Sequence, residues 1–285
     1  MGSGCLPLDL KGFPDKIQVG LNHKSMPQTL FIFAHQDDEY FVAPRISLHV
    51  RDGLRPFCVY LTDGGAYGCD PLVRNQESRG YLRALGVFEK DIAFIGTDAG
   101  IHDGRLVYSL LTAYNVVISR VKGIPFHSLY CPAWEGGHPD HDAAHLIGIA
   151  LSRHLNLQHE SWQYPLYNGF KARGRFFSIM RPINTSGKFL IRKIEFLTAL
   201  KTAFSCFRYR TQWRTWVGLF PQSLIRWVFS RKEILWQLDI QRVLERPHPG
   251  PLLYERWGRL EFQEFIEAAG DFYRTILKTR ARYAE

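Results

Sequence analysis

The sequence predicts an α/β protein: a Rossmann-like, mostly parallel sheet with helices on both faces, followed by a largely helical C-terminal extension. Two observations support this fold class. Short apolar runs alternate with longer segments of helical character, as they do in βαβ units. Polar residues also follow the apolar runs repeatedly, and a parallel sheet places its ligand site beyond the carboxyl ends of its strands.

The predicted elements alternate from residue 29 onward. Five apolar runs are predicted to be strands, at 30–34, 56–62, 92–96, 127–132 and 161–167. Four segments between them are predicted to be helices, near 39–50, 72–85, 107–121 and 141–155. Because helices of about 10 to 15 residues separate the strands, parallel pairing is favoured over hairpins.

The chain divides into three predicted segments. Residues 1–27 form an N-terminal segment, 28–187 form a Rossmann-like domain, and 188–285 form a basic, aromatic extension packed on it. With 46% apolar and 14% aromatic residues, the chain can bury a substantial core. No apolar run reaches the about 18 residues of a transmembrane helix, and the N-terminus lacks the apolar region of a signal peptide. We therefore expect a cytoplasmic protein.

The net charge of +9 is concentrated in the C-terminal extension. Between residues 188 and 232 there are ten Lys or Arg residues and a single acid, Glu195. Aromatic residues lie among and after them: Phe204, Phe207, Tyr209, Trp213, Trp216, Phe220, Trp227, Phe229 and Trp236. Their spacing is helical both before and after Pro221, which predicts a pair of short amphipathic helices.

Three interpretations of this extension are open. In the first, the aromatic stripe packs on the domain and the basic residues are solvated, as in most amphipathic helices of soluble proteins. Nucleic-acid binding has less support, because no recognisable module accompanies the basic stretch, and we expect no nucleic-acid partner. The third is peripheral contact of residues 201–236 with the inner membrane face or a lipid-linked sugar, where Trp suits the interface and Lys and Arg suit anionic groups.

Two polar motifs follow predicted strands. The first is AHQDDE at 34–39, which holds one histidine and three acids, although acids are also common where helices start. The second is GGHPDHDAAH at 136–145, with His138 and His141 three residues apart and Asp140 between them. Zinc favours imidazole and carboxylate ligands, and a catalytic zinc site takes three ligands from the protein. A histidine and an acid of the first motif, with one histidine of the second, would supply them.

Together, these motifs resemble those of the PIG-L or LmbE-like family, the zinc-dependent N-acetylglucosaminyl-phosphatidylinositol de-N-acetylases. The hallmarks of that family are A-H-P-D-D-E after the first strand and H-P-D-H after a later one. The resemblance covers about residues 28 to 170 and includes three more segments in the same order: Leu61-Thr62-Asp63-Gly64, Arg74-x-x-Glu77 leading into ALG, and Gly96-Thr97-Asp98. Gln36 is a departure, since the family most often has Pro there, but it removes no ligand.

The resemblance implies removal of an N-acetyl group from an N-acetylglucosamine-type conjugate. The sequence leaves the rest of the substrate open: a free sugar conjugate, a lipid-linked sugar, a natural-product intermediate such as an antibiotic, and a polysaccharide intermediate are all compatible with it. The resemblance also implies roles for eight side chains: binding of one metal ion by His35, Asp38 and His141, proton transfer by Asp37, polarisation of the acyl oxygen by His138, support of the histidines by Asp140, and sugar contact by Arg74 and Asp98. The expected ion is Zn²⁺, with Fe²⁺ or Co²⁺ as alternatives for the same ligands.

This chemistry suits an amide, which is a poor electrophile. A bound Zn²⁺ lowers the pKa of its water to about 7 and so supplies a strong nucleophile at neutral pH. Asp37, next to the ligand Asp38, can take the proton of that water and return it to the departing amine. We expect the metal and a protonated His138 to stabilise the oxyanion.

Other functions share this fold class. A dinucleotide-dependent oxidoreductase or a methyltransferase needs glycines after the first strand, where this chain has acids. A metal-dependent phosphoesterase is the second alternative, since similar His and Asp clusters serve that reaction and the fold does not decide the function. A non-catalytic sugar-binding protein is the third alternative, and the intact predicted ligand set argues against it. The sequence indicates no particular oligomeric state.

Overall fold

The computed structural model describes residues 26–174, 176–183, 187–240 and 244–278. Within these residues the strands are β1 (Gln28–Phe33), β2 (Arg55–Tyr60), β3 (Ile92–Ala93), β4 (Phe126–Pro132), β5 (Ser161–Tyr164), β6 (Tyr167–Asn168), β7 (Ser178–Ile179), β8 (Phe189–Lys193) and β9 (Lys232–Gln237). The α-helices are α1 (Ala43–Arg51), α2 (Pro71–Ala84), α3 (Ile95–Asp98), α4 (Leu110–Val121), α5 (Pro139–His154), α6 (Phe196–Ser205), α7 (Trp213–Leu224), α8 (Leu253–Arg256) and α9 (Phe262–Phe272). Two π-helical segments, Ile225–Ser230 and Tyr273–Lys278, continue α7 and α9.

Seven of these strands form one sheet in the order β3-β2-β1-β4-β5-β9-β8. Strands β1 to β5 pair in parallel, whereas β9 and β8 pair antiparallel at one edge. The strand order runs in opposite directions on the two sides of β1, so β1 and β4 flank the switch point at which open α/β sheets bind ligands. The predicted fold class is confirmed, and both polar motifs follow the two strands at this point.

Helices cover both faces of the sheet. Because side chains alternate along each strand, every strand contributes residues to both faces. In β1, Leu30 and Ile32 face a core layer formed with α4, α5 and α9, which we call the α5 layer. Phe31 and Phe33 face a second core layer formed with α1, α2, α6 and α7, which we call the α7 layer.

Two predicted strands are shorter than expected. The predicted strand 92–96 pairs only in β3, and α3 follows at once. Gly96 approaches the backbone of Thr62 so closely that a Cβ would lie 2.2 Å from its carbonyl carbon, so the chain turns there only with glycine. The predicted strand 161–167 divides into β5 and β6 around Pro165, which has no N–H to donate.

The C-terminal extension adds β9 and β8 to the same sheet. Arg45 of α1 donates to the buried Glu233 of β9 at 2.6 Å, which ties this edge to the first helix. The two helices predicted around Pro221 form one continuous helix instead, since α7 passes through the proline and continues as a π-helical segment. Buried Trp216 and Trp227 hold the helix against the core on both sides of the proline, which compensates for its missing N–H.

The predicted division at residue 187 stays a prediction, and strands beyond it pair with a strand before it. Among the described residues, no helix combines the length and apolarity needed to cross a bilayer.

Candidate active site

The loop after β1 is folded around Asp38. Its Oδ2 accepts the backbone N–H groups of Ala34 at 2.9 Å and of His35 at 2.8 Å. The side chain is buried, and its other oxygen, Oδ1, lies 3.1 Å from Nε2 of His141. The backbone therefore fixes the orientation of this carboxylate and leaves one oxygen for the site.

Asp37 is held through its backbone. Its φ of 116° lies in a region that residues other than glycine rarely adopt. Its N–H donates to Oε2 of Glu39 at 2.9 Å, and Oε1 of Glu39 accepts from Oη of Tyr209 at 2.9 Å. The C-terminal extension thus reaches the Asp37 backbone through one buried carboxylate.

The loop after β4 leads into the N-terminus of α5. Gly137 approaches Tyr167 so closely that a Cβ would lie 1.9 Å from the tyrosine carbonyl oxygen, so only glycine fits. His138 is the N-cap of α5, and its Nδ1 accepts the backbone N–H of Asp140 at 3.2 Å. A neutral His138 consequently carries its proton on Nε2.

Asp140 is fully buried and ties the second motif to two other loops. Its oxygens accept the backbone N–H groups of Gly104 at 2.6 Å and Leu106 at 3.0 Å. The same side chain lies 3.1 Å from Nε2 of His35. A carboxylate at Nε2 places the imidazole proton there and leaves Nδ1 as a lone-pair donor, a pairing common at metal sites. This is the geometry that the predicted supporting role of Asp140 requires.

The three predicted metal-binding atoms converge. Nδ1 of His35 lies 3.2 Å from Nε2 of His141, which lies 3.1 Å from Oδ1 of Asp38. Two donor atoms that share one tetrahedral zinc ion are about 3.3 Å apart. Two imidazole nitrogens at this separation repel each other unless a proton or a cation lies between them. The residues present therefore fit a divalent metal ion.

A second group of candidate ligands contains His35 together with Asp103 and His138. Oδ1 of Asp103 lies 3.3 Å from Nε2 of His35, the nitrogen that also faces Asp140. The two groups therefore use opposite sides of one imidazole ring. When Nδ1 faces the first group, the Nε2 side is left to hydrogen bonds with the two acids.

Neighbouring groups shift the pKa values of the metal-binding residues His35 and Asp38. Burial alone would lower the pKa of His35, but Asp103 above all holds that pKa well above its usual value. Burial alone would raise the pKa of Asp38, but the adjacent His141 and His35 outweigh burial and lower it. The electrostatic environment thus favours a carboxylate anion beside a cation, as a metal site requires.

The pKa values of Asp37 and His138, which lie beside the metal-binding residues, are shifted so that the neutral forms of both side chains are favoured. Burial raises the pKa of Asp37 to about 8, against the opposing charge of Arg74. Burial, together with the neighbouring His35, lowers the pKa of His138 well below its usual value. The protonated His138 expected from the sequence is therefore not the form that this environment favours, because a buried imidazolium next to another cation is costly. The neutral ring keeps a donor at Nε2.

Arg74 is buried and joins the loops around Asp37. Its Nη1 donates to the carbonyl of Gly64 at 2.6 Å, and its Nη2 donates to the carbonyl of Gln36. Nη2 also lies 3.3 Å from Oδ1 of Asp37, and Nη1 lies 3.5 Å from Oδ2 of Asp103. The arginine therefore fixes the position of the loop as well as lining the site.

Gln36 packs between its own loop and α2. Its Nε2 donates to Oδ1 of Asn75 at 2.6 Å and to the carbonyl of Thr62 at 3.3 Å. A Cβ on Gly64, whose φ is +66°, would lie 2.1 Å from Oε1 of Gln36, so the glycine is needed beside this side chain. The hydrogen bonds of Gln36 take the place of the rigidity that a proline would give the loop.

The structure does not bring Asp98 to the site. It ends α3 and lines a separate cavity with Asn115 and Arg120. The turn imposed by Gly96 directs the chain away at this point, and the acid that reaches the site from the same loop is Asp103. The sugar contact predicted for Asp98 stays a prediction without a supporting contact.

A cleft of about 430 Å³ lies at the carboxyl ends of β1 and β4. Six of the eight predicted side chains line it: His35, Asp37, Asp38, Arg74, His138 and His141. The other polar and aromatic walls come from residues that the motifs did not indicate: Phe41, Asp103, Arg105, Tyr167, Gln212, Thr215, Trp216 and Arg259. Asp103 could have been found from the Asp-Gly turn that follows the third strand, since loops at this end of the sheet converge. The wall residues of α7 carry no comparable signal.

Comparison with known families and proteins identifies part of the chain. The family model described as PIG-L, GlcNAc-PI de-N-acetylase, matches residues 30–152. That range holds both motifs and ends within α5. No curated protein sequence gives a significant match.

Several solved deacetylases share the fold. A triple mutant of the deacetylase Orf2 of the teicoplanin biosynthetic pathway aligns with a TM-score of 0.54 and 16% identity, covering 73% of this chain and 96% of that chain. The zinc-inhibited form of teicoplanin deacetylase Orf2 aligns with a TM-score of 0.54 and 14% identity, covering 73% and 97%. N,N′-diacetylchitobiose deacetylase from Pyrococcus horikoshii aligns with a TM-score of 0.51 and 18% identity, covering 74% and 84%.

Proposed function

We propose that this chain, which carries a PIG-L family domain over residues 30–152, is a metal-dependent deacetylase that removes the N-acetyl group from an N-acetylglucosamine-type conjugate. The observation that carries the proposal is the convergence of His35, Asp38 and His141 beside Asp37 in one cleft. The names of the structural neighbours support the same class of reaction, since Orf2 and the diacetylchitobiose enzyme are both deacetylases.

His35, Asp38 and His141 would hold the metal ion. Zn²⁺ is our first choice, and Fe²⁺ or Co²⁺ suits the same donors. When bound, such an ion makes water more acidic and polarises the acyl oxygen. Because one neighbour is described in a zinc-inhibited form, all three ions belong in the test.

Asp37 is the proton-transfer group in this proposal. Its side chain lines the cleft, and burial raises its pKa to about 8, which suits a group that must both accept and donate a proton near neutral pH. It takes a proton from the attacking water and later gives it to the amine that leaves. Arg74, 3.3 Å away, limits the rotation of its carboxylate.

His138 and two other polar groups that line the cleft would position the substrate. The neutral His138 donates its Nε2–H to the acyl oxygen as that oxygen gains negative charge. Arg74 and Asp103 offer a donor and an acceptor near Asp37, which is what a sugar bearing several hydroxyl groups can use.

The proposal is tested by acetate release from N-acetylglucosamine, N,N′-diacetylchitobiose and a lipid-linked N-acetylglucosamine. The full chain is stripped with a chelator and then supplied with Zn²⁺, Fe²⁺ or Co²⁺. We expect no release from the stripped protein and restored release with at least one ion. Phosphate release from a phosphomonoester, or sugar binding without any acetate release under all three ions, would contradict the proposal and favour a phosphoesterase or a binding protein.

A further inference from the structure

The helix formed by α7 and its π-helical continuation is apolar on its outer side as well as its inner side. Its outer side carries an apolar residue at every fourth position, which we call the outer stripe: Trp213, Val217, Pro221, Ile225 and Phe229. The four residues other than proline are between 58% and 74% exposed. The inner side buries Trp216, Leu219 and Trp227. A surface helix of a soluble domain normally has a polar outer side, and packing among the described residues, 26–278 with three short gaps, does not explain the stripe.

The outer stripe continues into an apolar patch formed by the end of α6 and the turn that follows it. Phe207, Trp213 and Val217 line one shallow cavity of about 390 Å³. The Phe207 ring lies 4.9 Å from Phe220, and the Phe204 ring lies 5.6 Å from the same ring. Phe204 and Phe207 are themselves half exposed or more. Soluble proteins rarely expose a continuous apolar surface of this kind without a partner for it.

Positive charge surrounds this patch. Residues 196–232 contain seven Lys or Arg residues and no acid. Five of the seven are exposed: Lys201, Arg208, Arg210, Arg214 and Lys232. The next acid, Glu233, is buried between Arg45 at 2.6 Å and Arg192 at 3.1 Å, so it does not neutralise the rim. The partner of this surface must therefore accept both apolar side chains and cations.

We infer that the outer stripe and its cationic rim form a docking surface for an anionic lipid bilayer. An interfacial helix buries an apolar face at the boundary of the headgroups and acyl chains, while Lys and Arg contact anionic lipids and Trp lies at the interface. The stripe is about 24 Å long at 1.5 Å per residue, so it suits a helix that lies along the surface. A second copy of this chain fits less well, because symmetric pairing would place two cationic rims against each other.

Docking through the stripe would bring the cleft close to the bilayer. Thr215, Trp216 and Leu219, on the inner side of α7, line the cleft that holds the candidate metal-binding residues. Only one helix diameter, about 10 Å, separates the two sides. If the proposed function holds, this placement favours an amino-sugar substrate presented at a lipid surface. The docking surface itself does not depend on that function.

Vesicle co-sedimentation of the full chain tests the inference without any substrate. The vesicles contain phosphatidylcholine alone or phosphatidylcholine with phosphatidylglycerol, at low and physiological salt. We expect at least about tenfold tighter binding to the anionic vesicles, weakened by salt. Val217→Glu combined with Ile225→Glu should lower that binding about tenfold or more without changing thermal unfolding or activity on a water-soluble substrate.

A charge-matched control separates the effect of this surface on vesicle binding from the effect of the net charge of the protein. Arg210→Glu with Arg214→Glu should weaken vesicle binding. Arg120→Glu with Lys122→Glu should not, because these two exposed residues lie at the end of α4, on the opposite face of the sheet from α7. Equal loss in both pairs, or no binding to anionic vesicles at low salt, would overturn the inference. A dimer in sedimentation that becomes monomeric on Val217→Glu with Ile225→Glu, without vesicle binding, would show that the stripe pairs with a second copy instead.

Discussion

The loops after β1 and β4 and the helix from Trp213 to Ser230 distribute their side chains in opposite ways. The loops bury charged groups, and most of the buried oxygens and nitrogens described above have a partner within about 3.3 Å, although Oε1 of Gln36 and Nδ1 of His141 have none among the described residues. The helix exposes large apolar groups, and no residue described by the structure covers them. Buried charge is tolerated in the loops because specific bonds offset its desolvation. The exposed apolar stripe has no such compensation among the residues that the structure describes, which is the observation behind the proposed docking surface.

Hydrogen bonds from the residues just before α7 connect the two regions. Tyr209, just before α7, donates to Glu39, and Glu39 accepts the backbone N–H of Asp37. Glu77 of α2 also accepts from the backbone and hydroxyl of Thr211, at 3.0 and 2.6 Å. The C-terminal extension therefore contributes to the position of the first loop while its outer side stays free for another role.

The largest expected effect on catalysis comes from the loop side. Asp37→Asn keeps the shape of the side chain but cannot accept a proton, so we expect kcat for acetate release to fall about 10²- to 10⁴-fold. Metal content should be unchanged, because Asp37 is not among the converging ligand atoms. Asp52→Asn, at an exposed position after α1, is the matched control. An Asp37→Asn protein with native kcat and full metal content would contradict the proposal that Asp37 transfers the proton while Asp38 binds the metal.

A smaller effect tests the connection between the regions. Tyr209→Phe removes the donor to Glu39, and a buried acceptor left without its partner costs about 1 to 3 kcal/mol. We expect kcat to fall about tenfold with metal content and KM little changed, because the loss acts through the Asp37 backbone. Tyr164→Phe removes a buried bond of similar depth, from Oη to the carbonyl of Ile32 at 2.7 Å, and should lower stability without lowering kcat. Equal kcat losses in the two variants would indicate a general loss of stability.

A buried acid of the second loop is expected to affect stability and not catalysis. Glu135 accepts from the Leu166 backbone at 2.7 Å and from Asn168 at 3.0 Å, and burial raises its pKa from 4.5 to about 7. The folded state holds the proton more tightly, so the contribution of this acid to stability is complete below about pH 4.5 and is lost as pH rises through about 7. Because the pKa of Glu135 differs by about two and a half units between the unfolded and folded states, its ionisation lowers the free energy of unfolding by about 3 kcal/mol.

Denaturant unfolding between pH 5 and 8 checks this expectation. Glu135→Gln should reduce the fall in unfolding free energy with rising pH. It should not abolish the fall, because burial also raises the pKa of Asp142 to about 8. Glu267→Gln, an exposed position on α9, should leave the pH dependence as it is. A slope unchanged by Glu135→Gln would show that this acid is ionised throughout the range.

Much of the fold follows from local pattern. The five parallel strands were predictable because apolar runs between helical segments are visible in short windows, and the two motifs were predictable because each lies within one loop. The antiparallel edge formed by β9 and β8 was not predicted, since its pairing joins residues far apart in sequence. The helical spacing near Trp213 was visible, but both sides of the helix are apolar, so the sequence did not indicate which side packs. Asp103 was missed because its role depends on the convergence of loops from different strands.

Metal binding by His35, Asp38 and His141 is tested by the metal content of the native chain and of His141→Ala, measured by mass spectrometry, with circular dichroism to confirm folding. We expect about one divalent ion per native chain. His141→Ala should lose about nine-tenths or more of that metal together with activity, and should stay folded because the sheet has its own apolar layers. Asp38→Asn should also weaken metal binding, and His127→Ala, at an exposed position of β4, should keep both metal and activity. A folded His141→Ala protein that retains one ion per chain would contradict the account.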